Sequence, residues 1–142
     1  MKKTIVLLFA LFISFNSYGS WTKIIKDGDK TYYIYFDDIK QKDGYVYWWL
    51  MASDSEDSSQ LYLLSDCEMN RIKPMQEISY SKPLGKGGPD VEEIEDDSWV
   101  FLPPETVPNL LNSVVCQYAK VIDTNQKDYF LEQLKITLEK RQ

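Results

Sequence analysis

Two cysteines, Cys67 and Cys116, and no histidine constrain this chain more than any other feature. A reactive thiolate needs a base or cation beside it, most often histidine. A zinc site needs about four ligands, mostly Cys and His. Two isolated cysteines supply neither, so no catalytic residue, metal ligand or cofactor is assigned. The chain's start sets the compartment. Lys2 and Lys3 precede an apolar run, Ile5 to Phe15, and Ser17 and Gly19 stand at −3 and −1 of a cut before Ser20. This pattern predicts a secretory signal peptide over 1–19. The run is shorter than the roughly 20 residues that span a bilayer, which disfavours the alternative of an uncleaved anchor. No cysteine follows it for lipid attachment. Export to the periplasm, the medium or the cell surface is expected, with no stable membrane insertion after cleavage. In an oxidising compartment an even cysteine count implies a disulfide. Cys67 is therefore expected to bridge Cys116, with two buried free thiols as the alternative. Closing a loop across 49 positions would stabilise by roughly 4 kcal/mol in the chain-entropy model.

The remaining chain, 20–142, is long enough for one domain that buries roughly two-thirds of its unfolded surface. Without Lys2 and Lys3 it carries 14 basic against 22 acidic side chains, a net charge of −8. Nucleic acid and anionic lipid both want a basic footprint, so a protein is the expected partner.

Alternating apolar residues and turn signals predict an antiparallel meander in an α+β fold. Strands are expected at 21–26, 31–36, 45–52, 60–67, 71–80 and 99–102, five to six in all. Asp27-Gly28 marks the first turn, and Asp37 to Asp43 reads as a polar connection closed by Gly44. Pro74 pushes its strand towards an edge or a bulge. Residues 82–97 are rich in glycine and proline and then acidic, and read as a mobile loop. Gly85-Lys86-Gly87-Gly88 lacks phosphate-loop spacing. The acids from Asp90 to Asp97 lack the EF-hand order, so they read as a solvated charge run rather than a calcium site.

Pro103-Pro104 and Glu105 predict a helix start. Val107, Leu110, Leu111, Val114, Val115 and Tyr118 follow a helical rhythm. On an ideal helix Cys116 falls about 180° from Val107, beside Asn109 and Asn112. Either the helix continues, or it ends near Ser113 and 114–122 runs extended; the pattern leaves both open. Phe130, Leu131, Leu134 and Leu138 form one stripe of an amphipathic C-terminal helix over 127–141.

The third strand is apolar on both faces. Tyr45, Tyr47, Trp49 and Met51 share one parity, and Val46, Trp48, Leu50 and Ala52 the other. Tyr33 and Tyr35 repeat the aromatic parity one strand earlier. Such a strand is either covered on both sides, by helices or by a twin subunit in a homodimer, or leaves one aromatic face open to bind something. Tyr33, Tyr35, Tyr45, Tyr47 and Trp49 are the candidate protein-binding residues, because Tyr and Trp dominate binding hot spots.

Several spaced features together resemble the surface-adhesin protein E family of small exported bacterial proteins. They are Trp21, the run Tyr35-Phe36-Asp37-Asp38-Ile39, and Asp66-Cys67 followed by Arg71. Trp99, Pro103-Pro104 and Val115-Cys116 complete the set, which covers 21–118. The resemblance implies an antiparallel sheet with a helical segment tied to it by the disulfide. It also implies binding of host extracellular-matrix and serum proteins from the cell surface. The matching residues read as structural, Trp21 and Trp99 as core and the cysteines as staple. Two features depart from the family: the missing lipoprotein cysteine, and the helix at 127–141 beyond the match. A non-enzymatic binding protein is the expectation. The alternatives are a periplasmic inhibitor of a cationic enzyme such as lysozyme, which opposite charge would steer, and a structural envelope protein. A carboxylate-pair enzyme is disfavoured because the acids cluster in polar loops.

Overall fold

The computed structural model describes residues 21–141, so the expected signal peptide lies outside the described residues. Eight strands form one antiparallel sheet. They are β1 (Trp21–Asp27), β2 (Lys30–Tyr35), β3 (Lys40–Lys42), β4 (Tyr45–Ser53), β5 (Ser58–Asp66), β6 (Arg71–Lys82), β7 (Lys86–Glu93) and β8 (Val100–Phe101). The path across the sheet is β1-β2-β4-β5-β6-β7, with β3 also on β4 and β8 also on β6. Helices α1 (Val107–Ala119) and α2 (Lys127–Lys140) complete the α+β fold.

The sequence pattern sets the register. Trp48 faces Leu63 and Leu50 faces Leu61 across β4 and β5. Ile34 faces Leu50 across β2 and β4. These residues share one face of the sheet by parity. Ile34, Val46, Trp48, Leu50 and Leu63 on that face join Leu111, Val115, Tyr118 and Ala119 of α1 in the core. The parity-two alternation thus separates a helix-covered inner face from an outer face.

One buried polar chain crosses this core. The Trp48 indole N–H donates to Ser65 Oγ at 2.8 Å, and Ser65 donates to Asn112 Oδ1 at 2.6 Å. The Asn112 amide donates to Asn70 Oδ1 at 3.2 Å. Asn70 in turn donates to Asn109 Oδ1 at 2.8 Å and to the Leu102 carbonyl at 3.3 Å. Ser65 and Asn112 are 0% and 1% exposed, yet every buried side-chain polar atom described has a partner. The chain fixes α1 on β4 and β5 by direction as well as by burial.

Four expectations are corrected. The connection 37–43 holds a 3-10 turn at 36–38 and the strand β3. Its hairpin to β4 turns through Asp43-Gly44, both at positive φ, the combination that suits two-residue hairpin turns. Residues 82–93 of the expected loop are a turn and a strand, and only 94–97 lie outside regular structure. A turn at 83–85 leads into β7, which pairs with β6 over most of its length. Gly87 is required there, because a Cβ would lie 2.3 Å from Ser81 Oγ. Helix α1 starts at Val107, not at Pro103, with the Thr106 hydroxyl accepting from the Asn109 N–H. Finally, Trp21 and Trp99 are half-buried on the outer face and are not core residues. Pro74 sits at a bulge in β6, where Tyr62 pairs with Gln76 and Leu63 with Pro74.

Helix α1 runs unbroken to Ala119, and Cys67 bonds Cys116 with a Cα–Cα distance of 5.7 Å. The free-thiol alternative is therefore absent. The geometric difficulty dissolves once the right stripe is chosen. The buried side chains of α1 are Leu111, Asn112, Val115, Tyr118 and Ala119. At about 100° per residue, they span an arc centred on Val115, with Cys116 on its flank beyond Asn112. Leu110 and Val114 occupy the opposite flank and, with Phe130, Leu134 and Leu138 of α2, line a groove. The Phe130 ring lies 5.8 Å from that of Tyr118.

Candidate functional site

Both helices pack on the inner side, which leaves the aromatic parity of β4 on the other face. The sheet is a lattice there, and its rows follow from the printed register. One row reads Lys40, Tyr47, Leu64, Lys73 across β3, β4, β5 and β6. The next contains Trp49, Tyr62, Gln76 and Glu93. A third runs Lys23, Tyr33, Met51, Gln60, Ile78, Val91 across the whole sheet. The five sequence-predicted residues, Tyr33, Tyr35, Tyr45, Tyr47 and Trp49, therefore share one face, and all five are half-buried.

The rings lean on one another rather than standing free. Trp49 stacks on Tyr62 at 4.8 Å, and Tyr47 lies 6.1 Å from the same ring. Tyr45 meets Trp99 at 5.5 Å, and Tyr35 meets Trp21 at 5.2 Å. Tyr33 has Lys23 and Met51 as cross-strand neighbours. Mutual stacking orders the rings before any ligand arrives, which lowers the entropy cost of binding. Burial pushes the Tyr62 hydroxyl above the ordinary tyrosine range, against the weaker opposing pull of Lys40.

One end of this face is closed. Leu84 N–H donates to Ser53 Oγ at 3.0 Å and Gly85 N–H to Ser58 Oγ at 2.9 Å. The turn at 83–85 thereby folds over Met51, which is 2% exposed although it belongs to the outer parity. At the opposite end Trp99 reaches over from the segment before β8. The guanidinium of Arg71 lies 4.4 Å from its ring centre and Lys73 Nζ 4.7 Å. Arg71 Nε also donates to Asp66 at 2.9 Å. Burial raises the Asp66 carboxyl, but the Arg71 hydrogen bond and the Met69 N–H outweigh it and hold the group below the usual carboxylate range.

Parity reasoning over β2 and β4 found the predicted rings, but missed Tyr62, Trp99, Trp21 and the cations. Tyr62 could have been found, since Gln60 and Tyr62 alternate with Leu61 and Leu63. No local signal places Lys40 or Lys73 in a row with Tyr47. A groove of about 320 Å³ between α1 and α2 is lined by Ile24, Leu110, Val114, Phe130 and Leu138. It carries no cluster of ionisable groups. Among the described residues no three His, Cys, Asp or Glu side chains are placed to hold a metal. No helix described is long and apolar enough to cross a membrane.

The fold is similar to the crystal structure of protein E from non-typeable Haemophilus influenzae. The TM-score is 0.61 at 14% identity, over 87% of this chain and 90% of that one. A second crystal form of Haemophilus influenzae protein E aligns with a TM-score of 0.55 at 14% identity, over 69% of this chain and 87% of that one. These likenesses concern the fold. No curated protein sequence matches the chain. The pattern of the surface-adhesin protein E family does match, over residues 21–117, and it spans both cysteines and every strand of the sheet. This chain belongs to the surface-adhesin protein E family.

Proposed function

We propose that this protein is a non-enzymatic, exported, adhesin-type binding protein that engages another protein through its outer sheet face. One observation carries the reading: both helices lie on the inner face, so a pre-ordered cluster of Tyr47, Trp49 and Tyr62 has no cover from the chain's own helices. Half-buried tyrosine and tryptophan on a rigid scaffold are the side chains that most often anchor protein partners. Family membership supports the adhesin-type role and, with it, exposure at the cell surface. Host extracellular-matrix and serum proteins are the partners to test first.

The test is a pull-down with the tagged mature protein, 20–142, from serum proteins and from envelope extract. The Tyr47→Ser/Trp49→Ser variant runs in parallel. A defined partner is expected with the parent protein. Two anchors of about 2 kcal/mol each imply that the variant binds on the order of 1000-fold more weakly. An unchanged affinity in a folded variant would remove the face as the site. Lysozyme activity measured with micromolar protein addresses the inhibitor alternative, which the net charge of −8 over residues 20–142 supports; unaltered activity excludes it.

A further inference from the structure

The chain is acidic overall, yet its aromatic face is fringed by cations. Lys23, Lys40, Lys42, Arg71 and Lys73 all occupy outer-parity positions on β1, β3 and β6. Lys40 pairs with Asp38 at 3.1 Å, with the lysine side chain 67% exposed. Lys73, whose side chain is 23% exposed against Trp99, touches the 86% exposed carboxylate of Asp97 at 4.0 Å. Exposed pairs of this kind contribute little and exchange readily for another carboxylate. Among the described residues Lys23 and Lys42 have no ion pair. Arg71 is committed to Asp66, and Lys73 packs against the Trp99 ring with its ammonium reaching Asp97 at the edge.

We infer that the outer face takes an acidic polypeptide segment in extended form, with two carboxylates on Lys40 and Lys73 and an aromatic or apolar side chain between them on Tyr47. This rests on the reading of the face as the binding surface, and adds the partner's chemistry. The spacing comes from the lattice. Lys40 and Lys73 end one row, with Tyr47 and Leu64 between them. Three strand-to-strand steps separate them by about 14 Å. Along an extended peptide, side chains four residues apart point the same way and lie about 13.6 Å apart. The residue halfway between them also points down, into the space between Tyr47 and Leu64, where it can lean on the Tyr47 ring. A segment of the pattern acid-x-aromatic-x-acid, laid across the strands, meets cation, ring and cation in turn.

The same observations favour a polypeptide over a polyanion. A sulfated polysaccharide or a nucleic acid wants a continuous positive rail. Here Asp66 and Glu93 interrupt the face, rings separate its cations, and the whole chain repels a dense anion. A peptide brings few charges, with apolar groups to cover the rings.

The experiment uses the mature protein and a synthetic peptide, acetyl-Gly-Ser-Glu-Ser-Tyr-Ser-Glu-Ser-Gly-amide. Peptides with Gln or Lys in place of both Glu, and heparin, run beside it. Isotope-edited NMR follows the indole N–H resonances of Trp49 and Trp99 together with intrinsic fluorescence. Saturable binding of the Glu peptide is expected, weakened by salt, with the Gln and Lys peptides at least tenfold weaker. Lys40→Glu/Lys73→Glu should abolish it. Because Lys73 packs on Trp99, Lys40→Glu/Lys42→Glu serves as a second variant built on exposed side chains alone, and should lose at least tenfold. Equal binding of the Glu and Gln peptides with a shifted Trp49 resonance would overturn the acidic assignment and keep the face as the site. Heparin binding more tightly at the same resonances would replace the polypeptide with a sulfated glycan. Silence of the Trp49 and Trp99 resonances to every probe would sink the inference. If partner capture also proved indifferent to Tyr47→Ser/Trp49→Ser, the underlying reading would fall with it.

Discussion

Ser65→Ala should be among the most damaging single-atom deletions available in this protein. Its hydroxyl accepts from the Trp48 indole at 2.8 Å and donates to Asn112 at 2.6 Å. Trp48 is 1% exposed, so no water replaces the lost partner. Leaving a buried donor or acceptor unmade costs roughly 1–3 kcal/mol. Two groups are stranded here, although Asn112 keeps its bond to Asn70, so the loss should be about 2–4 kcal/mol. At about 4 °C per kcal/mol for a domain of this size, Tm falls by about 8–16 °C. Asn109→Ala touches the wet end of the same chain. It strands only the exposed Asn70 amide, which still donates to the Leu102 carbonyl, so it should cost less than about 1 kcal/mol. The triple variant Trp48→Phe/Ser65→Ala/Asn112→Leu removes the buried polar groups together and should recover part of the loss, since apolar replacement of both partners can be near neutral. Urea unfolding of residues 20–142, followed by tryptophan fluorescence, measures all three. Equal losses for Ser65→Ala and Asn109→Ala would refute the argument, because it predicts that cost tracks burial along the chain.

Replacing Cys67 and Cys116 by Ala should cost up to about 4 kcal/mol for a 49-residue separation, read from denaturant midpoints; thiol titration of the unreduced, denatured parent should find no free sulfhydryl. Asp66 titrates below its unfolded value of about 3.9, so its stabilisation is full above that pH and vanishes as the pH falls through the folded value. Asp66→Asn should therefore flatten the acid limb of stability below about pH 4 in urea titrations from pH 6 to 2, and an unchanged limb would assign it to other carboxylates. Burial raises the hydroxyls of Tyr62 and Tyr118. Both should ionise late in an ultraviolet titration, and the stability they hold below about pH 10 should be lost as pH climbs through their folded values. Tyr118→Phe and Tyr62→Phe should each remove part of that late phase.

What the sequence made legible follows from what is buried. Strands β1, β2, β4 and β5 each bury part of one face, most regularly in β4, whereas β6 is half-buried over most of its length. Strand β7 is exposed along its whole length, so Lys-Gly-Gly-Pro-Asp-Val-Glu-Glu carries no periodic mark. Hydrogen bonding to β6 alone makes it a strand. Strand β3, Lys-Gln-Lys, is hidden for the same reason. Cys116 misled because α1 has two apolar flanks, one for the sheet and one for α2, and Val107 belongs to the wrong one. The shared face of the five predicted rings was legible from parity within β2 and β4. The cations were not, because Lys40 and Lys73 become neighbours of Tyr47 and Leu64 only through pairing between distant strands.

Strands β1 and β7 end the sheet's path, and an open edge is a template on which further chains can stack. Pro89 has no amide hydrogen to offer, and Asp90, Glu92 and Glu93 place repelling charge wherever a second β7 would approach. Eight residues that add nothing to the core thus act as a guard rail against fibril growth. Replacing that rail with valine and threonine would be expected to turn the domain into a seed for its own aggregation.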